Sequence, residues 1–334
     1  MSFLSVCFPV KNEMAMLPDS VAMWAPIADE ICVLDTGSTD GTLDYRHPKV
    51  RIERSKLFNA ETAPEDFDYG AARNEALDMA RGEWTATGDP DYRLTADEIQ
   101  RIGTGLKTTE RDAVIMQVQT NDETVCQPLF FRTERRYRYI NPVHESLQMA
   151  GASALYVPHI VVQHIRTYSG NPEQWRARVK RYIAILCKAL LKTPDNAYLL
   201  VLLAQEYYNL DTVGKCGIVC ETVVKGKNFG SLHPAVQAQT RLLYANALSC
   251  IGKPELAREQ ALAVLQLDAD NPAAMCALGV LSMRAKNIDD AEDWFGRATR
   301  APLPVGPYMR ELAYYRTTFP TAQLEELRRI RRVA

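Results

Sequence analysis

The chain has 334 residues, 47% of them hydrophobic, which is enough for a sizeable core and for two domains. A net charge of −2 excludes a strongly basic nucleic-acid coat over the whole molecule. No run of about 18 apolar residues occurs, so no membrane span is expected. No basic segment followed by a long apolar run opens the chain, so no secretory leader is expected either. The eight cysteines are scattered, without a Cys-x-x-Cys pair. They read as buried free thiols of a reducing compartment rather than as a zinc site, and the expected localisation is cytoplasmic.

Strands and helices alternate through the first half. Phe3 to Val10 is a β-rich apolar run, Asn12 to Trp24 has helical apolar spacing, and Glu30 to Leu34 is a second apolar run closed by Asp35-Thr36-Gly37-Ser38-Thr39-Asp40-Gly41. Val50 to Ile52 reads as a short third strand and Gly70 to Arg81 as a helix. Trp84 to Thr87 is a strand that stops at Gly88 and delivers Asp89 and Asp91, one residue apart. Strand, helix, strand, helix, strand predicts an α/β, Rossmann-like, mostly parallel sheet. Ligands of such sheets sit beyond the carboxyl ends of the strands, where both Asp35 and Asp89 fall. Residues 113–131 and 155–164 read as further strands, joined through 137–145. From Pro172 onward the pattern is helical. Ala257 and Ala291 lie 34 residues apart. Leu278, Gly279, Phe295 and Ala298 around one, and Tyr244, Ala245 and Val264 around the other, repeat the small and large positions of a tetratricopeptide-type (TPR-like) helix pair. A weaker unit carries Ala204 and Tyr207. The expected domains are 1–168 and 169–334.

Five constellations carry chemistry. Asp35 to Thr42 is a strand-to-helix turn whose first carboxylate can accept from a nucleobase or ribose. Arg73, early in a helix of small residues, suits a diphosphate. Asp89-Pro90-Asp91 at a buried strand end suits a hard divalent cation. His144-Glu145 can supply a general base, and His164, ending an apolar run, can join Asp91 on a metal. Each alone also has a plain structural explanation: a turn, a solvated arginine, a capping histidine. Two basic segments, Arg132 to Tyr139 with its alternating aromatics and the tail Leu327 to Arg332, suit protein or nucleic-acid contact, though an ordinary exposed loop and a solvated helix end account for them as well.

The order and spacing of these segments resemble the family 2 glycosyltransferases of the GT-A fold, through Pro9-Val10-Lys11-Asn12-Glu13, the Asp35 turn, Ala72-Arg73-Asn74, Asp89-Pro90-Asp91 and Val143-His144-Glu145. The subgroup with tetratricopeptide-like helices behind the transferase domain is the nearest. The resemblance implies an inverting, metal-dependent transfer of a hexosyl or pentosyl group from a nucleotide sugar, often a uridine diphosphate sugar, to an acceptor hydroxyl. Pro9, Val10, Asn12, Glu13 and Asp35 would hold the nucleoside, Arg73 would lie near the diphosphate, and Asp89 would face the ribose or support Asp91. Asp91, with Asp89 and His164, would hold Mn²⁺ or Mg²⁺. Glu145, with His144 beside it, would deprotonate the acceptor, a saccharide, a peptide or a hydroxymethylated DNA base. Thr36, Pro90 and Tyr92 depart from the family pattern, Tyr92 standing where an acidic residue is common. That departure keeps open a degenerate, non-catalytic domain acting as a scaffold for the helical module.

Overall fold

A computed structural model describes residues 2–119, 124–165, 171–302, 315 and 318–333, with side chains to residue 329. The chain divides into two compact units, Met1–Trp175 and Arg176–Ala334. The boundary expected at 168/169 lies outside the described residues.

The first unit is built on an eight-stranded sheet of order β3-β2-β1-β4-β7-β6-β10-β5. Its strands are β1 (Leu4–Val10), β2 (Glu30–Asp35), β3 (Val50–Arg54), β4 (Trp84–Thr87), β5 (Tyr92–Arg93), β6 (Ala113–Gln119), β7 (Thr124–Arg132) and β10 (Ala154–His164); β8 (Arg138–Ile140) and β9 (Ser146–Gln148) form a separate hairpin. β1, β2, β3 and β4 are mutually parallel, β7 runs against β4 and β6, and β10 is parallel to β6. The carboxyl ends of β1, β2, β4 and β10 therefore share one edge of the sheet. β1 and β2 are buried on both faces, which is why they read as unbroken apolar runs rather than alternating ones. Leu4, Val6, Phe8 and Val10 face the core under α1 (Leu17–Trp24) and α3 (Ala96–Thr108), while Cys7, Cys32 and Leu34 face α2 (Tyr69–Leu77).

Helix bounds differ from the expected ones for local reasons. α1 starts at Leu17 rather than Asn12, because Asn12 takes a left-handed φ of 58° and the chain turns before Pro18 can enter the first helical turn. α2 ends at Leu77, with Asp78 as its C-cap, four residues short of Arg81. α3 has no counterpart in the sequence reading. Its signal is a capping box, Thr95 with Glu98, ahead of Ile99, Ile102 and Leu106 on one face.

The described residues of the second unit form helices and the turns between them. α4 (Pro172–Lys192) is followed by α5 (Ala197–Asn209), α6 (Val213–Lys225), α7 (Pro234–Cys250), α8 (Pro254–Leu267), α9 (Pro272–Arg284), α10 (Ile288–Arg300) and α11 (Thr318–Val333). From α5 onward consecutive helices pack against each other, and α5–α7 and α7–α9 also touch. The residues expected to define the repeat sit in its core: Ala204, Ala245, Ala257, Val264, Leu278, Ala291, Phe295 and Ala298 are all buried. Cys216 and Cys220 occupy in α6 the places that Ala257 and Ala261 take in α8, which accounts for two of the buried thiols. All cysteines are free; Cys187 and Cys250, however, are exposed, against the expectation of burial. No helix among the described residues is long and apolar enough to cross a membrane.

Candidate functional site

Two loops leave adjacent parallel strands and are stitched together. After β1, the Asn12 amide donates to Ser38 Oγ at 2.8 Å, while Asn12 Oδ1 accepts from the Thr39 amide at 2.7 Å. The Glu13 amide donates to Thr42 Oγ1 at 3.0 Å and the Met14 amide to Asp40 Oδ2 at 3.0 Å. Asp35, buried at the end of β2, accepts from the Gly37 and Ser38 amides at 3.1 Å, an Asx-type turn that fixes the loop. The hydroxyl of Asp40's neighbour Thr42, then backbone amides, hold the Asp40 carboxyl below its usual range. Thr36 also finds its reason here. Its amide and its hydroxyl both donate to Val10 O at 2.9 Å, tying the end of β2 to the end of β1. Pro9, Val10, Asn12, Glu13 and Asp35 thus converge on one edge, Val10, Glu13 and Asp35 buried and Asn12 exposed.

Arg73 is the hub of the next layer. Asp68 caps α2 by accepting from the Ala71 amide, and Arg73 follows one turn later. Its Nε donates to Glu145 Oε1 at 2.8 Å, Nη1 to Gly88 O at 3.1 Å, and Nη2 to Asp89 Oδ1 at 2.9 Å. The three side chains are only 16%, 26% and 16% exposed for Arg73, Asp89 and Glu145. Burial alone disfavours the guanidinium's charge, but Asp89 and Glu145 outweigh it and raise its pKa well above the ordinary value. The Tyr139 ring lies 5.5 Å from the guanidinium carbon. One cation thus holds the first aspartate of the strand end and the glutamate of a loop 72 residues away in sequence.

Asp91 and His164 form the third layer. β5 pairs antiparallel with the last residues of β10, putting Tyr92 opposite His164. His164 Nε2 lies 3.1 Å from the buried Asp91 Oδ2, and the Ile165 amide donates to Asp91 O at 3.1 Å. Asp89, Asp91 and His164 each offer a ligand atom, all within 4.8 Å of one another, the one such group among the described residues. Two carboxylate oxygens and an imidazole nitrogen fit a divalent cation such as Mn²⁺ or Mg²⁺. Tyr92 belongs to the main core, buried against Gly88 and edge-on to His164 at 5.3 Å, with its hydroxyl 3.3 Å from Gln127 Oε1. Burial first, then Asp89, pushes its phenol well up.

His144 is exposed in a left-handed conformation (φ 50°) beside Glu145. Pro90 is buried in the turn between the two aspartates. Arg132 pairs with Glu83 over the Trp84 ring, Arg135 with Asp112 and Arg138 with Asp78, while Tyr137 is buried in the core under α2. Of the basic tail, the side chains of Arg331 and Arg332 lie outside the described residues. The sequence reading named Asn74 within Ala72-Arg73-Asn74 and Tyr139 within the basic loop but gave neither a role at the site. The Asn74 carboxamide makes two bonds to the Tyr139 backbone, and the Tyr139 hydroxyl donates to Thr87 Oγ1 at 3.2 Å.

Residues 5–142 match the family described as Glycosyl transferase family 2. A TPR repeat-containing protein of Synechococcus elongatus is 28% identical over 215 residues, covering 60% of this chain and 51% of that protein. The chain therefore spans about half the length of the curated relative it matches. Among solved structures, Staphylococcus aureus TarS 1–349 aligns over 99% of this chain and 92% of that chain at 16% identity with a TM-score of 0.38. MamA aligns over 48% of this chain and 82% of that chain at 14% identity and 0.34. Those scores are too low to carry more than a likeness. The sequence match and the topology agree: the chain resembles family 2 glycosyltransferases in its sheet unit and carries TPR-like helices behind it.

Proposed function

We propose that the protein is an inverting glycosyltransferase that depends on a divalent cation and moves a hexosyl or pentosyl group from a uridine diphosphate sugar to an acceptor hydroxyl. The observation that carries this reading is the convergence of Asp89, Asp91 and His164 at the strand ends, one guanidinium away from Glu145. Asp91 and His164 are the principal cation ligands; Asp89, already engaged by Arg73, completes the set or faces the ribose. Held by these residues, Mn²⁺ or Mg²⁺ would supply positive charge against the departing diphosphate. The stitched loops of Asn12, Glu13 and Asp35, with Pro9 and Val10 beneath them, present main-chain groups and a carboxylate to the nucleoside. Glu145 takes the proton of the acceptor hydroxyl as its oxygen bonds to the anomeric carbon. The bond from that carbon to the diphosphate breaks with inversion. Arg73 keeps the Glu145 carboxylate oriented and supplies fixed positive charge beside the diphosphate. The acceptor class is a saccharide, a peptide or a hydroxymethylated DNA base. The scaffold alternative rests on Tyr92, a buried tyrosine where an acidic residue is common.

Thermal shift with nucleoside diphosphates, with and without Mn²⁺, is the first test. Uridine diphosphate at about 100 times its Kd is expected to add about 2.7 kcal/mol only when Mn²⁺ is present. Asp91→Ala should remove that gain together with metal-dependent donor hydrolysis. No nucleotide stabilisation in the wild type, or full metal-dependent turnover in Asp91→Ala, overturns the reading. Release of pyrophosphate in place of a nucleoside diphosphate would assign the site to nucleotidyl transfer.

A further inference from the structure

The turn that carries Glu145 is held against one stripe of α2. Tyr69, Gly70, Arg73 and Asn74 fall on the same helical face, spaced by one turn. The Tyr69 amide, a first-turn donor that the Asp68 cap does not take up, donates to Pro142 O at 2.9 Å. Gly70 lets the helix approach the turn closely: a Cβ there would meet Asn141 O at 2.5 Å. Arg73 binds Glu145, and Asn74 Nδ2 donates to Tyr139 O at 2.9 Å while its Oδ1 accepts from the Tyr139 amide at 2.8 Å. That carboxamide does for β8 what a neighbouring strand would do, satisfying a donor and an acceptor of the same residue. Between these contacts the backbone is constrained on its own account, with Asn141 and His144 both left-handed (φ 69° and 50°) and Val143 fully buried. Tyr139 closes the frame, its hydroxyl on Thr87 at the end of β4, two residues ahead of Asp89.

We propose that Asn74, acting with Gly70, is the positioning residue that fixes Glu145 relative to Asp89, and that it touches neither donor nor acceptor. The inference rests on the function proposed above. Asn74 acts through the backbone of Tyr139, so its loss displaces the whole Asn141–Glu145 turn rather than one side chain. A shift of about 1 Å between a base and the bond it serves lowers turnover by about 100-fold.

The test uses the full chain, Mn²⁺ and the nucleotide sugar that the wild type hydrolyses, with kcat and KM measured separately. Asn74→Ala is expected to lower kcat by about 10- to 100-fold and to leave the donor KM within about twofold, because the donor-side residues keep their places. Gly70→Ala should act in the same sense through an independent contact. Asn74→Asp keeps the acceptor for the Tyr139 amide and loses the donor to Tyr139 O, so it carries the test if Asn74→Ala does not fold. In a Glu145→Ala background, Asn74→Ala should add no further loss, since both act at one point. Unchanged kcat in all three variants, a KM that rises as kcat falls, or losses that multiply in the double variant overturn the inference while wild-type hydrolysis stands. Absence of both nucleotide binding and hydrolysis in the wild type overturns the function itself, and this inference with it.

Discussion

The two units place their exceptions to ordinary protein chemistry differently. In the sheet unit three of the four described left-handed non-glycine residues, Asn12, Asn141 and His144, and the buried polar side chains Glu13, Asp35 and Asp91 lie in loops at the carboxyl ends of strands or in the turn bound to α2; the fourth, Arg136, closes the turn after β7. In the helical unit the left-handed residues Asp211, Gly252 and Lys286 follow α5, α7 and α9 in turn, one per hairpin. The first pattern gathers the candidate-site residues at one end of the sheet. The second recurs with the architecture and serves only the fold. Local strain therefore points to function when it is irregular and convergent, and to construction when it is periodic.

The largest expected effect tests the helical side. Phe295 is fully buried beside Ala291 and Ala298, with its ring 6.3 Å from Phe319. Phe295→Ala should destabilise the chain by about 3–5 kcal/mol in urea unfolding. Nucleotide binding measured well below the new midpoint should survive, and its loss would break the division between the two kinds of exception.

Arg73→Ala should strike both properties at once. It leaves two partly enclosed carboxylates facing each other without their shared cation, for a stability loss of about 2–4 kcal/mol, reduced by their partial exposure. Donor hydrolysis should fall with it, whereas Arg73→Lys should restore stability in part but not turnover, because one ammonium cannot bridge Glu145, Gly88 and Asp89 in the guanidinium's geometry. Turnover retained in Arg73→Ala would show that the cluster is structural.

Acid separates carboxylates that hold the sheet from those that hold the site. Burial works against the charge of Glu30, but the Ser5 hydroxyl, the Arg81 amide and the Arg51 guanidinium prevail and keep its pKa below the ordinary value. Asp112 is likewise held low, by the Ser153 amide and hydroxyl and by Arg135. A folded value below the unfolded one gives stability that is complete above the unfolded pKa, about 4 for such groups, and is lost as pH falls through the folded value. Unfolding followed from pH 6 to pH 3 should therefore show a stability loss beginning near pH 4. Glu30→Gln should be weaker at pH 6 yet lose less on acidification, and a parallel pH curve for wild type and variant counts against the assignment.

Much of this was legible in the sequence because buried parallel strands read as uninterrupted apolar runs and because Asp35 and Asp89 directly follow or end such runs. The helical repeat was legible for a similar reason: Ala257 and Ala291 recur with their large neighbours at fixed spacing, since each hairpin solves the same packing problem. The contact of Asp91 with His164 was guessable only from chemistry. It depends on a two-residue strand pairing between segments 73 residues apart, which leaves no local signature. Tyr92 looked like a defect in a motif because a motif compares residue types, whereas its place is decided by the core behind it. Asn74 was visible in Ala72-Arg73-Asn74, but its partner is the backbone of Tyr139, and backbone partners cannot be read from side-chain patterns.

The smallest prediction concerns the periodic strain. Each hairpin turn carries the same pair of bonds. The Thr212, Lys253 and Asn287 amides donate to Tyr207 O, Leu248 O and Ser282 O, all at 2.9 Å, and the residue before each donates one turn back. This is the Schellman arrangement, which requires a left-handed residue at Asp211 (φ 60°), Gly252 (φ 77°) and Lys286 (φ 61°). Only the middle hairpin uses glycine. A lysine in that conformation carries about 1–2 kcal/mol of steric cost, partly offset by the greater freedom that glycine gains in the unfolded chain. Lys286→Gly should therefore stabilise by about 0.5–1 kcal/mol, and Asp211→Gly by less, since aspartate tolerates the left-handed region better. Gly252→Ala should destabilise by about 1 kcal/mol, because alanine must take on the strain that glycine avoids. Chemical denaturation of the three variants reads the effect directly. If Lys286→Gly destabilises while Gly252→Ala is neutral, the three turns are not equivalent, and the periodic strain of the helical unit has to be explained turn by turn, as in the sheet unit.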